Sequence, residues 1–245
     1  ILCHMPYSEV QITSGSSFLE SYNITLRMAE KCNSETPVKL FTAVGPYPVL
    51  LIGLAEKYGM GRAVEIMKEG MESAQKLVLE RKAVAIGEIG RPHFEVSPEI
   101  LEASNEIMAY GMSLAKEAGC PVILHTESGT SECMADLARI AAGLPRSRVV
   151  KHYSPPLVLE EENFGLFPSV LATRPAVSEA LEKGTRFVME TDYMDEPSRP
   201  GAVLDIKTVP KRTMGYINSK RMTEEQAWKI HKDNPEELYG FSLNF

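Results

Sequence analysis

The chain has 245 residues, 44% of them hydrophobic and 24% charged, the make-up of an ordinary globular protein. Its net charge of −7 excludes a protein that coats nucleic acid through bulk electrostatics, although a local basic patch could still hold one strand end. No apolar stretch approaches the ~20 residues of a membrane-spanning helix and no charged-then-apolar leader opens the chain, so a soluble, cytoplasmic protein is expected.

No linker-like run of Pro, Gly, Ser or single-sign charge divides the sequence, which predicts one domain over residues 1–245. The four cysteines, Cys3, Cys32, Cys120 and Cys133, form no C-x-x-C pair and are expected to be reduced and mostly buried. The chain opens without Met, directly in the apolar run Ile1-Leu2-Cys3, and further sequence upstream is expected.

The predicted elements alternate. A strand over 1–5 ends at His4, and a polar loop leads to a helix over 18–32. A strand over 38–44 is stopped by Gly45-Pro46-Tyr47-Pro48, and the apolar spacing through 49–81 predicts helices broken near Gly59-Met60-Gly61. After a strand over 83–87, Ser97 is an N-cap and Pro98 the first residue of a helix reaching Ala118, with Gly119 ending it. Then follow a strand over 121–124, a helix over 132–142 with Gly143 as C-cap, and a strand over 148–151. A strand over 167–172, a helix over 175–183 and a strand over 185–190 come next. A long loop rich in Pro and Gly then precedes a helix over 223–232 and a turn at Asn234-Pro235. Strand–helix alternation with short connections means a parallel α/β sheet. Seven strands are found where a TIM-type (β/α)8 barrel needs eight, so the first strand is expected to lie outside this sequence. An open doubly wound sheet lacks its Gly-rich phosphate turn here.

Four strands are continuous apolar or β-branched runs, as in a sheet covered on both faces, and each ends in a residue type that binds metal: Glu88, His125, His152 and Asp192. The C-terminal strand ends of such a barrel share one mouth. Two imidazoles and two carboxylates suit a divalent transition metal, which makes water a nucleophile near neutral pH, so hydrolysis is the expected reaction. Any one of these residues alone reads as a packing residue; their joint occurrence points to a site. Glu190, two residues before Asp192, is expected on the same side of the strand, orienting a ligand. His4 stands open between packing and substrate contact, and His93 and Arg174 are further candidate substrate contacts. Lys207, Lys211 and Arg212 read either as anion binders or as solvated loop charges, and His231 as structural.

Taken in order, Gly45-Pro46-Tyr47-Pro48, Gly87-Glu88-Ile89-Gly90, Pro121-Val122-Ile123-Leu124-His125, Lys151-His152-Tyr153-Ser154, Glu190-Thr191-Asp192 and Asn234-Pro235-Glu236-Glu237-Leu238-Tyr239-Gly240 make the sequence resemble the TatD-type metal-dependent hydrolases of the amidohydrolase superfamily. The resemblance implies one or two divalent ions, zinc favoured over manganese, nickel or magnesium. It implies that Glu88 bridges them, His125 and His152 hold one, and Asp192 binds the other and acts as general base toward the nucleophilic water. The implied substrate is a phosphoester, small or at a nucleic-acid end, as in deoxyribonuclease-like members. An amide, lactone or ester hydrolase and a non-catalytic barrel are the alternatives. Two departures stand out. Nothing matches the family's first-strand H-x-H pair; if that pair lies upstream the site is binuclear, and if it is absent one ion lacks ligands. Glu127 stands where nuclease-like members carry an Arg, so it is expected to repel a phosphodiester, and Arg91-Pro92 replaces the usual apolar-acidic pair.

Overall fold

A computed structural model of the protein describes residues 1–141, 143–196 and 199–243. The chain forms two compact units, Ile1–Glu127 with Ile140–Val149, and Ser128–Arg139 with Val150–Phe245.

The first unit runs β1 (Leu2–Cys3), α1 (Gly15–Glu35), β2 (Thr42–Val44), α2 (Leu50–Tyr58), α3 (Met60–Leu79), β3 (Ala85–Gly90), α4 (Pro98–Ala118) and β4 (Val122–His125). Its strands pair in parallel and in chain order, with Leu2 opposite Thr42, Ala43 opposite Ala85 and Ile86 opposite Val122. Every residue of β3 is buried, as its uninterrupted apolar run requires of a strand with both faces covered. Phe18 and Tyr22 of α1, Met67 and Met71 of α3, Met108 of α4 and Ile86 and Ile89 of β3 are buried. Gly70 lets α1 and α3 approach closely, because a Cβ there would meet the Phe18 ring at 2.6 Å. The α4 signals are realised: the Ser97 hydroxyl accepts from Ile100 N–H at 3.3 Å, and Gly119 closes the helix in the left-handed region at φ 68°.

The second unit holds nearly all of α5 (Ser131–Ile140) and β5 (Val149–Ser154), followed by α6 (Glu160–Asn163), β6 (Phe167–Leu171), α7 (Arg174–Lys183) and β7 (Val188–Glu190). It continues through β8 (Met194–Glu196), β9 (Arg199–Ala202), α8 (Thr208–Asn218), α9 (Glu224–Trp228), a π-helical turn over Lys229–Asp233 and α10 (Asn234–Tyr239). β5, β6 and β7 are parallel and in chain order, whereas β8 and β9 form an antiparallel hairpin. Val170, Val177, Phe187, Tyr216, Met222 and Ile230 make its core. Among the described residues, seven parallel strands alternating with helices give the TIM-type α/β class expected from the sequence.

The differences from expectation have local causes. α1 begins at Gly15 rather than residue 18, because Ser17 Oγ accepts the Ser14 N–H at 3.0 Å in a capping box built from two serines. β2 is shorter than 38–44 because the Asn33 side chain takes both backbone groups of Leu40, at 2.6 and 3.0 Å. β7 likewise starts at Val188, since Asn234 Nδ2 donates to the carbonyls of Thr185 and Phe187 at 2.6 and 2.8 Å. The loop expected after residue 190 contains β8, β9 and α8. Pro210 falls in the first turn of α8, where no intrahelical N–H partner is needed, so it does not break the helix. α5 ends at Ile140, and residue 142, the expected end of that helix, lies outside the described residues. Cys120 and Cys133 are buried, and Cys3 and Cys32 are half-buried. Among the described residues no helix is long and apolar enough to cross a membrane.

Candidate functional site

The candidate ligands fall into two groups, one in each unit. In the first unit, Glu88 lies where the β3–β4 register slips, between the paired positions Gly87 and Ile89. A bulge at that point leaves Glu88 out of the regular pleat and re-aims its side chain. Its Oε2 lies 3.3 Å from Nδ1 of His125, the last residue of β4. The other ring nitrogen of His125 faces His93 Nδ1 at 2.9 Å and the Tyr47 hydroxyl at 3.4 Å. Tyr47 belongs to the Pro-flanked turn after β2, and its ring meets the His125 ring edge-on at 4.9 Å between centroids. His93 is held below the ordinary imidazole pKa by partial burial and by the neighbouring His125. Gly90 allows the two strand ends to approach: its φ is 139°, and a Cβ there would lie 2.1 Å from the His125 carbonyl oxygen.

The second unit repeats this device. The β5–β6 register slips between Lys151 and Ser154, and His152 lies within that slip. Glu190, at the end of β7, is 3.0 Å from His152 Nδ1 and also accepts the Tyr153 backbone N–H at 2.8 Å and the Ser169 hydroxyl. Asp192 Oδ1 is 3.5 Å from His152 Nε2 on the opposite edge of the ring. Strand β7 has ended by then, and Asp192 has left-handed backbone at φ 49°, as does Tyr153 at φ 52°. Non-glycine residues in this region cost of order 1–3 kcal/mol each and gather at functional sites. The expected period-two alternation therefore does not carry past Glu190; the turn, not the pleat, brings Asp192 to His152.

The donor chemistry fits a divalent cation. An imidazole that ligates through one nitrogen gives the other to a carboxylate or carbonyl, and His152 with Glu190 has that arrangement.

Of the candidate substrate contacts, His93 touches His125, whereas Arg174 opens α7 at the surface of the second unit. His4 is buried at 2% exposure. Its two ring nitrogens face Thr25 Oγ1 at 2.9 Å and Ser21 Oγ at 3.3 Å, both on α1, and burial pushes its pKa down to about 4. Of the two readings left open for His4, these contacts favour packing. His231 is bonded to Thr213 at 2.8 Å, as a structural histidine is. Arg212 donates through Nε to the Ala172 carbonyl at 3.2 Å.

Glu127 is not a bare charge: Arg91, 6% exposed at its side chain, grips it through Nε at 2.8 Å and through a second guanidinium nitrogen, and also donates to Asn105 at 3.1 Å. Sequence reading noted Arg91 and Glu127 separately and did not pair them. Tyr47 and Ser169 carried no signal beyond their places near strand ends.

A TIM-type α/β fold with His–carboxylate pairs at strand ends defines a class, the metal-dependent hydrolases built on such barrels. The family described as TatD related DNase matches residues 9–240, and the chain belongs to that family. It is 42% identical over 234 residues to an uncharacterised protein, MJ1127, of Methanocaldococcus jannaschii, covering 94% of this chain and 83% of the relative. Among solved structures, the TatD homologue YJJV of Escherichia coli K12 superposes with a TM-score of 0.62 at 21% identity, covering 98% of this chain and 96% of that one. The phosphotriesterase homology protein of Escherichia coli, with phosphate in its active site, gives 0.59 at 16% identity over 90% and 79%. A phosphotriesterase-like lactonase of Deinococcus radiodurans, as a mutant, gives 0.57 at 14% identity over 91% and 88%.

Proposed function

We propose that residues 1–245 are one barrel domain, and that Glu88, His125, His152 and Asp192 are ligands for divalent metal. The protein is then a cytoplasmic hydrolase of phosphoesters. Zinc suits the two imidazoles best, with manganese, nickel and magnesium as alternatives. The observation that carries this reading is the Glu190–His152 pair, a carboxylate fixing one imidazole edge while the other meets Asp192. A divalent ion in this position supplies positive charge that lowers the pKa of water and draws electrons from the electrophilic phosphorus.

The chain's own residues do the rest. Glu190 fixes the ring plane of His152, and Glu88 and Tyr47 fix that of His125. Asp192, on the far side of His152 from Glu190, takes the proton of the attacking water. His93, which touches His125, contacts a phosphoryl oxygen of the substrate.

A second reading, hydrolysis of a carboxylic ester or lactone, is favoured by Glu127, which puts a carboxylate rather than a cation two residues after His125. The same nucleophile attacks a carbonyl carbon. Protein purified without chelator is expected to carry at least about one equivalent of divalent metal, to lose it as His125→Ala, and to hydrolyse bis(p-nitrophenyl) phosphate in preference to lactones. Absence of metal from both proteins sinks the proposal, and turnover of lactones alone selects the second reading.

A further inference from the structure

Arg91 and Glu127 each follow a strand that supplies a candidate ligand, β3 for Glu88 and β4 for His125. The Arg91 backbone N–H donates to the His125 carbonyl at 2.9 Å, so the pair is tied to the strand end that carries His125. Its two members are not equally placed. The Arg91 side chain is 6% exposed and that of Glu127 40%. The guanidinium gives two bonds to Glu127 and one to Asn105, and an incoming anion competes with them for it. The face turned to water is the carboxylate, held in one orientation by the planar fork behind it.

We propose that this pair sets the charge of the substrate: Glu127 is a fixed acceptor edge beside His125 that rejects a second phosphate next to the scissile one. It admits an isolated phosphoester whose flanking group is neutral, cationic or a hydrogen-bond donor. The inference rests on the phosphoester reading above and narrows it, because a nucleic-acid strand carries a phosphate on every nucleotide. The pair is neutral overall, but Glu127 is its exposed end and Arg91 its buried end, so an anion arriving from water meets the negative end first and its binding is opposed.

Two chromogenic esters that differ by one phosphate test it: thymidine 5′-(p-nitrophenyl phosphate), and the same ester with a phosphate on its 3′ oxygen. With the metal-loaded full chain, kcat/KM is expected to favour the first by about tenfold or more. Glu127→Gln is expected to bring the two within about threefold, since it removes the charge and keeps an acceptor oxygen. The double variant R91E/E127R, which turns the guanidinium outward, is expected to reverse the preference. A wild-type ratio near one, or a ratio unmoved by Glu127→Gln, overturns the proposal while leaving the hydrolase reading in place. If neither ester is cleaved, the phosphoester reading fails, and the charge rule is judged by calorimetric binding of thymidine 5′-phosphate and thymidine 3′,5′-bisphosphate. Tighter binding of the monophosphate, with the gap closing in Glu127→Gln, upholds the rule; equal binding, or binding of neither, overturns it.

Discussion

The Glu190 carboxylate lies 3.0 Å from His152 Nδ1, which commits that edge of the imidazole to an acceptor, so that Nε2 is the nitrogen we propose for the metal. Glu190→Gln keeps the size of the side chain but removes the charge that fixes the ring. Its affinity for divalent metal is expected to fall about 10–100-fold, the usual consequence of losing an outer carboxylate. Metal titration of the folded variant checks this, and an unchanged dissociation constant would show that Glu190 serves the fold alone.

Metal binding is also expected to register in stability. A cation that binds only the folded chain stabilises it by about 2.7 kcal/mol at a concentration 100 times its dissociation constant. Thermal melts of stripped protein with and without zinc should therefore differ, and His125→Ala should abolish the difference. Equal shifts in the two proteins would place the ion elsewhere.

His4 predicts a pH dependence unrelated to the metal. Burial among Thr25, Ser21, Tyr22 and Tyr7, none of them charged at neutral pH, lowers its pKa from the ordinary 6.5 to about 4. Between those values the unfolded chain takes up a proton that the folded chain refuses, so this stability is present above pH 6.5 and is lost as pH falls toward 4. The loss is about 3 kcal/mol over that window. His4→Gln should flatten the corresponding part of the curve measured by urea unfolding; an unchanged slope would assign it to other groups.

Asn234 is 2% exposed, and its amide satisfies two carbonyls that precede β7. Asn234→Ala removes the amide donor to the Phe187 carbonyl, at about 1–3 kcal/mol, whereas the Thr185 carbonyl keeps the Phe187 N–H at 3.0 Å. Chemical denaturation should show a loss in that range, and a loss under about 0.5 kcal/mol would mean that water replaces the amide.

The positions of the candidate ligands were legible because continuous apolar runs such as 83–87 and 121–124 mark buried strands whatever their exact ends. Their orientation was not. Glu88 and His152 each sit in a register slip, and nothing in an apolar run announces a bulge. Strand lengths were misjudged for a related reason: the side chains of Asn33 and Asn234 take backbone groups that a pattern of apolar residues assigns to a sheet. Arg91 and Glu127 read as two loop charges, since a separation of 36 positions hides a bond that only the pairing of β3 with β4 creates. α8 was missed because Pro210 and Gly215 read as breakers, although the first sits in a harmless turn.

The bond from the Tyr153 amide to Glu190 gives the molecule a built-in reporter. Tyr153 itself faces water, and an amide on such a residue would ordinarily trade its hydrogen for deuterium quickly. Here the hydrogen is released only when Glu190 lets go, so slow exchange at this single position records whether the grip on His152 is closed, with no substrate, metal or dye required.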